Sequence, residues 1–453
     1  MTDSTTTPAT KPDGGDPSGA ISDFGIDTTR QSSSEAVRDY FARLRGGELG
    51  SLPAVLGLLV LVVVFSALSG FFLTLNNIAN LLAQGAGPMI IAMGLVFVLL
   101  LGQIDLSAGT ASGLCASVMA MHYVEAGNLL GGMGSTVFLI FTGGLLVAAA
   151  LAVLMRIWAG AALTLVAVLI AVLGVPANPW LEMLLALCVG AAIGVITGFL
   201  VSKIGMPSFV VTLALFITWQ GVILQFIGEG GVFGIGTQPT LFAVANRNLS
   251  VLGSWILYVV AVGGYAAVVL GEHLVRTRRE LITRPTPIIV GKVAVVAVLG
   301  AGATWALCLN RAQTEFAEIA GVPYVVPIVL ALLAAGTYVL NRTRYGRHIY
   351  AVGGNAEAAR RAGINVGKIR ASVFVVCSST AALGAIVYSS KVGSVDPQAG
   401  GLNVLLFAVG AAVIGGTSLF GGSGKVVHAV IGGLVLATVE NGLGLLAQPA
   451  AVV

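Results

Sequence analysis

The chain has 453 residues, of which 57% are hydrophobic and only 9% are charged. An ordinary soluble domain carries about 25% charged residues, so this composition excludes a soluble globular protein. The net charge of +4 does not indicate nucleic-acid binding, because the basic residues fall mostly in loops between apolar runs. The four cysteines and four histidines show no metal-ligand spacing, so no metal site is predicted.

Residues 1–46 form a polar tail that is rich in Ser, Thr, Asp, Gly and Pro and contains no apolar run. Such a composition cannot bury a hydrophobic core, so we expect the tail to be disordered. Arg38, Arg43 and Arg45 directly precede the first apolar run, which predicts that the N-terminus lies in the cytoplasm.

The remaining residues, 47–453, contain long apolar runs that predict an all-α, polytopic membrane helix bundle with about thirteen transmembrane spans. The predicted spans are 52–75, 78–101, 105–124, 135–155, 158–174, 181–202, 208–227, 251–271, 287–309, 321–341, 370–390, 402–420 and 426–446.

The distribution of basic residues supports this order of spans. With the N-terminus inside, 15 of the 18 Lys and Arg residues beyond the tail fall on the cytoplasmic side. Only Arg247, Arg311 and Lys391 fall outside, as the positive-inside rule requires. The loop 342–369 is then predicted to be cytoplasmic and the loop 228–250 external.

Two spans contain glycine patterns that bear on helix packing. In the span 78–101, Pro88 follows three small residues and can break a helix, so we considered two half-helices lining a cavity. In the span 181–202, Gly190, Gly194 and Gly198 form one ridge, which predicts tight helix–helix packing rather than a role in transport.

An aspartate, Asp105, stands between two apolar runs in the stretch 102–109. An ionisable side chain at membrane depth is costly and is by default a candidate functional residue. Its carboxylate can also cap a helix starting at Leu106 by accepting from free backbone N–H groups. The two roles are compatible.

The loop 342–369, which is rich in basic residues, contains the sequence pattern of a complete miniature helix. Asn355 suits the N-cap, Glu357 the positive N-terminal end, and Arg360 and Arg361 the negative C-terminal end. Gly363 suits the left-handed position that follows a helix. So short a helix is marginal alone in water, so it needs a docking surface, either lipid headgroups or a partner protein. The alternative is a purely positive-inside anchor.

The stretch 413–425 superficially resembles a phosphate-binding loop. A Walker A loop needs Gly, four residues, and then Gly-Lys followed by Ser or Thr. Here Leu419 stands five residues before Gly424, and Val426 follows Lys425, so the match fails twice. We interpret the stretch as a tight turn between two spans and predict no nucleotide site.

Four motifs together resemble the permease subunit of bacterial ABC importers for monosaccharides, of the ribose/xylose/galactose type, and look most similar to xylose permeases. The motifs are Gln103–Ser107, Met206–Leu213, Arg344–Asn355 with Glu357–Ala359, and Gly415–Ser418 with Glu440–Gly442. The resemblance runs from about residue 52 to the end of the sequence.

The span count departs from the family, whose permeases normally have ten spans. Two inserted hairpins, 135–155 with 158–174 and 251–271 with 287–309, would explain the extra spans. Removing those four spans leaves nine, so the resemblance predicts that the family's last span is missing from this sequence.

The resemblance implies a multi-pass subunit of a bacterial cytoplasmic membrane that imports a xylose-like pentose or related sugar and performs no chemistry itself. It implies a homodimer, an extracytoplasmic sugar-binding protein and a separate cytoplasmic ATPase, with no nucleic-acid partner. ATP and Mg²⁺ would bind the ATPase, so no cofactor is expected in this chain.

The resemblance also assigns roles to residues. The miniature helix would be the coupling element, seated in a groove of the ATPase. The ATPase-coupling residues would be Gly354, Asn355, Glu357, Ala358, Ala359, Arg360 and Gly363. The candidate translocation pathway or gate would comprise Gln103, Asp105, Ser107 and Asn441.

Two other functional classes were considered. An ion-coupled secondary transporter needs intramembrane ionisable residues, for which only Asp105 and Glu440 qualified. A membrane-embedded enzyme needs a clustered acid–base or nucleophile set, and the sequence shows no such set.

Overall fold

A computed structural model describes residue 38 and residues 50–279, 281, 285–312 and 318–447. Apart from Arg38, the predicted disordered tail lies outside the described residues. The chain divides into two compact units. One contains Met1–Gly46 and Val262–Ala297, and the other contains Gly47–Ala261 and Val298–Val453. The motifs and candidate sites discussed below all belong to the second unit.

The described residues are mostly helical, with two short strands. The elements are α1 (Leu52–Leu68), α2 (Leu75–Leu100), α3 (Ala108–Val124), α4 (Leu129–Met133), α5 (Ser135–Leu154), α6 (Trp158–Leu173), α7 (Pro179–Phe199, extended by a π-helical turn Leu200–Ile204), α8 (Ser208–Ile227), β1 (Phe233–Gly234), α9 (Pro239–Asn246), α10 (Val251–Arg278), α11 (Thr286–Cys308), α12 (Val325–Arg342), α13 (Arg344–Gly354), α14 (Ala356–Arg361), α15 (Val366–Val392), β2 (Ser394–Val395), α16 (Leu402–Ile414) and α17 (Val426–Ala447).

The predicted all-α membrane bundle is confirmed, and each predicted span overlaps one of these helices. Within the described ranges, nine helices are long and apolar enough to cross a membrane. Three further apolar helices, α1, α6 and α16, are shorter than 18 residues. The total of thirteen spans stays a prediction.

The prediction of two half-helices around Pro88 is wrong, because α2 is continuous and contains Pro88 in its interior. Proline removes one backbone hydrogen bond, but in membrane helices close packing by neighbours compensates for the loss. A Cβ added at Gly85 would lie 2.7 Å from the Ala437 side chain, and one at Gly87 would lie 2.8 Å from that of Tyr388. Helices α17 and α15 therefore hold this segment of α2 in place.

The glycine ridge on α7 packs against α15, as predicted. Each of the three glycines faces a backbone carbonyl of α15, closer than any Cβ could normally approach. An added Cβ would lie 2.6 Å from the Ser378 oxygen at Gly190, 2.5 Å from the Phe374 oxygen at Gly194, and 2.7 Å from the Ala371 oxygen at Gly198. Because α15 also packs on α2 and α3, it forms the centre of the larger unit.

The segment 394–401 turns back into the bundle. At its start, β2 pairs with β1 close to the hydrogen bond between Tyr123 and Thr237, level with the last turn of α3. Near its end, a Cβ on Gly400, whose φ is +67°, would lie 2.5 Å from the Gly113 nitrogen, in the second turn of α3. Ten residues of helix rise about 15 Å, so the segment reaches about 15 Å into the bundle from the level of that last turn.

Helix α16, which follows this re-entrant segment, is shorter than its predicted span 402–420. It has 13 residues and ends at Ile414, so it is about 20 Å long and does not cross a bilayer alone. The apolar composition continues past Ile414, but the chain there forms a turn that leads to α17. A break in helical structure was expected at Pro88, but the structure has such a break in the segment before α16 instead.

Candidate coupling and translocation sites

The predicted miniature helix is present as α14, and both of its ends are capped as the sequence indicated. The side-chain oxygen of Asn355 accepts a hydrogen bond from the Ala358 N–H (2.9 Å). At the other end, the Ile364 N–H donates to the Ala359 carbonyl (3.0 Å), and Gly363 has φ +82°. This is a Schellman motif, which requires a left-handed residue at the position of Gly363.

The outer face of α14 is charged. Glu357 pairs with Arg360 at 2.9 Å and with Arg361 at 3.3 Å, and all three side chains are exposed. Exposed ion pairs contribute little to stability, so this arrangement mainly fixes the charges that the surface presents. Ala358 is exposed but Ala359 is buried. Of the two alanines, only Ala358 is therefore open to a partner at the surface, whereas Ala359 packs against the bundle; the coupling role of both residues stays a prediction.

Two tyrosines of α13 attach this segment to the membrane helices. The Tyr345 hydroxyl lies 2.9 Å from the Ser372 hydroxyl, and the Tyr350 hydroxyl donates to the Gly424 carbonyl (2.8 Å). Burial raises the pKa of Tyr345 to about 12, although its hydrogen bond to Ser372 acts to lower that pKa. Burial also raises the pKa of Tyr350. Both phenols therefore stay neutral at physiological pH, and Tyr350 can keep donating its proton.

The end of α13 meets the end of α2 and the turn that follows α16. The Gly422 N–H donates to the Leu100 carbonyl (2.9 Å). A Cβ on Gly353 would lie 1.9 Å from that carbonyl oxygen, and one on Gly102 would lie 3.1 Å from the Phe420 oxygen. We call these five residues the motif junction. It joins α13 and the coupling helix to the loop carrying Asp105 and to the turn between α16 and α17.

Asp105 is fully buried and bonds to the turn that precedes α3. Its Oδ1 accepts from the Ser107 N–H (3.0 Å) and the Ser107 hydroxyl (2.6 Å). Its Oδ2 has no hydrogen-bond partner among the described residues. Helix α3 begins at Ala108, two residues after the predicted start at Leu106, and the carboxylate accepts from a backbone N–H just before the helix. Leu106 and Ser107 form a turn that the carboxylate closes.

The motif at the start of α8 contacts the same loop. The Ile104 N–H donates to the Ser208 hydroxyl (3.3 Å), and the Thr212 hydroxyl donates to the Ile104 carbonyl (3.2 Å). Gln103 is half-buried, and its N–H donates to the Val98 carbonyl (3.2 Å). The motifs at residues 103–107, 206–213 and 344–355 therefore contribute residues near the end of α2.

Asn441 does not join the other candidate pathway residues. Its side chain exchanges hydrogen bonds with Asn77 (2.8 and 3.0 Å) and donates to Gln84 (3.4 Å), both in the first half of α2. Leu100, beside the Asp105 loop, lies 23 residues from Asn77, about 35 Å along the helix. The structure thus brings Asp105 and Ser107 together and separates Asn441 from them.

A buried ionisable pair was missed from the sequence, where only Asp105 and Glu440 were counted as intramembrane ionisable residues. His122 Nδ1 in the last turn of α3 lies 3.8 Å from Glu182 Oε1 in the first turn of α7, and both side chains are fully buried. Among the described residues, neither side chain has a hydrogen-bond partner. The two residues are 60 positions apart, so no local pattern signals the pairing.

Two adjacent cavities lie against the re-entrant segment. Their volumes are about 550 and 800 Å³. They share Phe216 and Gln220 from α8 and Asp396 and Gln398 from the segment, so they lie next to each other. No candidate site was predicted here. The segment lies between the predicted spans 370–390 and 402–420, and it contains Pro397 and the pair Gly400-Gly401.

Comparison with known proteins gives consistent matches. A family described as the branched-chain amino acid transport system permease component matches residues 157–453. The chain is 30% identical over 413 residues to the xylose transport system permease protein XylH of Escherichia coli (strain K12), covering 90% of this chain and 89% of that protein. It is 29% identical over 409 residues to the ribose import permease protein RbsC of the same strain, with 90% and 89% covered.

The xylose transport system permease protein XylH of Haemophilus influenzae is 29% identical over 410 residues, covering 90% of this chain and 92% of that protein. A comparison with solved structures returned no match. The family match covers more than half of the chain. The chain therefore belongs to this family of transport-system permease components, as a homologue of the xylose and ribose permeases.

Proposed function

We propose that the chain is the transmembrane permease subunit of an ATP-driven importer that carries a monosaccharide, a xylose-like pentose or a related sugar, into the cytoplasm. The observation that carries this proposal is the capped helix α14, which presents an exposed charged face and Ala358 while its other face packs on the bundle. A six-residue helix held in this way is suited to docking in a groove of a partner protein. The names of the xylose and ribose relatives support the substrate class.

The proposed assembly contains a second copy of this chain, a cytoplasmic ATPase that binds ATP and Mg²⁺, and an extracytoplasmic sugar-binding protein. The ATPase would displace α14 when it binds and hydrolyses ATP. Because Gly353 contacts Leu100 directly, a displacement of α13 and α14 would reach the loop that carries Asp105. The permease would supply the pathway and the ATPase the chemistry.

The proposed location is a bacterial cytoplasmic membrane, with the N-terminus and α13–α14 on the cytoplasmic side. The support is the distribution of basic residues, of which only Arg247, Arg311 and Lys391 fall on the opposite side beyond the tail. This orientation puts the proposed docking helix on the side where ATP is available.

Uptake of labelled sugar tests the function. The chain would be expressed with the ATPase and binding-protein genes beside it in cells that lack their own xylose and ribose permeases. We expect ATP-dependent import of xylose or ribose, and co-purification of the ATPase with tagged permease. Import that persists after ATP depletion but stops with a protonophore would contradict the proposal.

Variants of the coupling helix connect this test to the structure. Ala358→Trp adds bulk to an exposed docking surface, and Ala358→Ser is its matched control. Gly363→Val strains a residue with φ +82°, whereas Gly363→Asn tolerates that conformation. We expect Trp and Val to abolish uptake and ATPase co-purification, and Ser and Asn to retain them. Normal uptake in all four variants would remove α14 from the mechanism.

An ion-coupled secondary transporter is the second candidate, and the buried His122–Glu182 pair is the observation that favours it. A proton-coupled transporter needs such buried ionisable groups. A buried pair between α3 and α7 can also hold these two helices together, so the experiment must distinguish proton transfer from helix packing. His122→Gln would abolish protonophore-sensitive import if the pair carries protons, whereas ATP-dependent import would survive this change.

A further inference from the structure

The re-entrant segment 394–401 brings irregular backbone into the bundle. Its internal hydrogen bonds are few, among them Ala399 N–H to the Asp396 carbonyl (3.1 Å) and Gly401 N–H to the Gln398 carbonyl (3.0 Å). In lipid, irregular backbone at membrane depth is tolerated only against protein or beside a water-filled cavity. The 550 Å³ cavity lies beside this segment and beside the first turn of α16.

The cavity is lined by polar side chains that have hydrogen-bonding capacity to spare. Gln220 donates its amide N–H to the Pro397 carbonyl (2.5 Å), and Asp396 accepts from the Gln398 N–H (2.8 Å) through one oxygen. The side-chain oxygen of Gln220 and the second carboxylate oxygen of Asp396 have no hydrogen-bond partner among the described residues. Asn403, in the first turn of α16, makes no side-chain hydrogen bond within the described part of the chain.

Aromatic side chains line the same space. Phe216 on α8 is shared by both cavities, and Tyr388 on α15 lines the smaller one. A monosaccharide has hydroxyl groups around its rim and C–H groups on its faces. Amide and carboxylate groups match the rim, since each hydroxyl both donates and accepts. A flat aromatic ring matches the apolar face.

We propose that this cavity is a binding site for one neutral monosaccharide within the permease, beside the re-entrant segment. Gln220, Asp396 and Asn403 would hydrogen-bond the sugar hydroxyls, while Phe216 and Tyr388 pack on its C–H faces. This inference rests on the proposed sugar transport and adds the site and the residues that determine specificity.

The charges of the lining favour a neutral polyol over an amino acid. Asp396 and Glu229 supply negative charge, and no Lys or Arg is found among the described residues that line the two cavities. An amino acid would bring a carboxylate with no cation to pair with, and an unpaired charge in such a site is costly. Binding by hydrogen bonds and aromatic packing, without an ion pair, is also weak enough for the sugar to leave, as transport requires.

A thiol-protection experiment on the full chain tests the site. The four native cysteines are replaced by alanine, and Leu402→Cys, an exposed cavity position, serves as reporter with Val392→Cys as a second one. Membranes are labelled with a maleimide in the presence of xylose, ribose or glycine betaine. At ten times the dissociation constant, a sugar should slow labelling about tenfold, because occupied sites are protected. Glycine betaine should have no effect.

Removing one hydrogen-bonding group separates binding from simple crowding. Asn403→Ala should raise the sugar concentration needed for protection about five- to tenfold, the factor expected for one lost hydrogen bond. Labelling of Ser250→Cys, outside the cavity, should not respond to any solute. In cells, the same Asn403→Ala change should raise the KM for uptake more than it lowers the maximal rate.

The outcomes distinguish this proposal from the proposed function. If cells import xylose or ribose but neither sugar protects either reporter, the cavity is not the binding site, and sugar transport stands. If a sugar protects the reporters but the cells import none, the site stands and the transport assignment fails. Equal protection in the presence and absence of the Asn403 side chain would overturn the specific role given to that residue.

Discussion

Gly353 is the residue whose substitution tests the motif junction most directly, and Gly354 provides a matched control. Both glycines lie in the last turn of α13. A Cβ added at Gly353 would lie 1.9 Å from the Leu100 carbonyl oxygen, whereas one added at Gly354 meets no atom within 4 Å. The change Gly→Ala gains about 1 kcal/mol of helix propensity at either position, so the difference between the two variants isolates the contact.

The cost of the contact can be worked from the structure. A Cβ is essentially never found within 3.0 Å of a heavy atom from a non-neighbouring residue. Gly353→Ala must therefore displace α13 or the Leu100 carbonyl by about 1 Å. The carbonyl is held by the hydrogen bond from Gly422, and breaking that bond costs about 1 kcal/mol. Overpacking of this kind costs about 1–3 kcal/mol. The population of the docked arrangement would then fall about 5- to 150-fold.

The assay compares two properties of the same pair of variants. Thermal unfolding of the purified full-length permease should show a lower Tm for Gly353→Ala and an unchanged or slightly higher Tm for Gly354→Ala. At equal amounts of membrane protein, sugar uptake should fall further in the first variant than in the second, because only the first loses the contact with Leu100. If the two variants match in both Tm and uptake, the Gly353–Leu100 contact does not hold the coupling segment, and the reasoning is refuted.

Three further predictions follow from other contacts. Gly194→Leu should destabilise the α7–α15 packing, with a Tm well below that of Gly143→Leu, because Gly143 has open space around it; equal Tm values would contradict the packing argument. Asp105→Asn should retain more uptake than Asp105→Leu, because Asn can still accept from Ser107; equal loss would show that the charge itself is required. In a cysteine-free background, impermeant maleimide applied to intact cells should label Ser250→Cys but not Arg361→Cys, and the reverse would refute the topology.

Local signals in the sequence were sufficient to predict helices and their caps. The apolar runs predicted the membrane helices because burying apolar surface in lipid depends on composition alone. Asn355 and Gly363 predicted both ends of α14 because capping depends on residues within one turn of the helix end. The glycine ridge on α7 was likewise readable, since its three members share one helix face. The helix against which this ridge packs, α15, could not be predicted from the sequence.

Features set by distant contacts could not be predicted. Pro88 suggested a broken helix, but close packing by α15 and α17 keeps α2 continuous. The re-entrant segment 394–401 followed a predicted span and was assigned to a loop, because hydropathy does not report the direction in which a loop runs. The pairing of His122 with Glu182 joins the ends of two helices far apart in sequence, so neither residue alone signals it.

Helix α3 links the two sites that the structure suggests. Its first turn follows the Asp105 loop, and that loop meets the coupling segment through Leu100 and Gly353. A Cβ on Gly113, in the second turn, would lie 1.9 Å from the Ala399 oxygen, so the same helix supports the re-entrant segment beside the proposed sugar cavity. From Ala108, where α3 begins, to Gly113 is five residues, about 8 Å of helix. A packed helix moves as a rigid element, so a small displacement at the junction would shift the cavity wall without any change of fold.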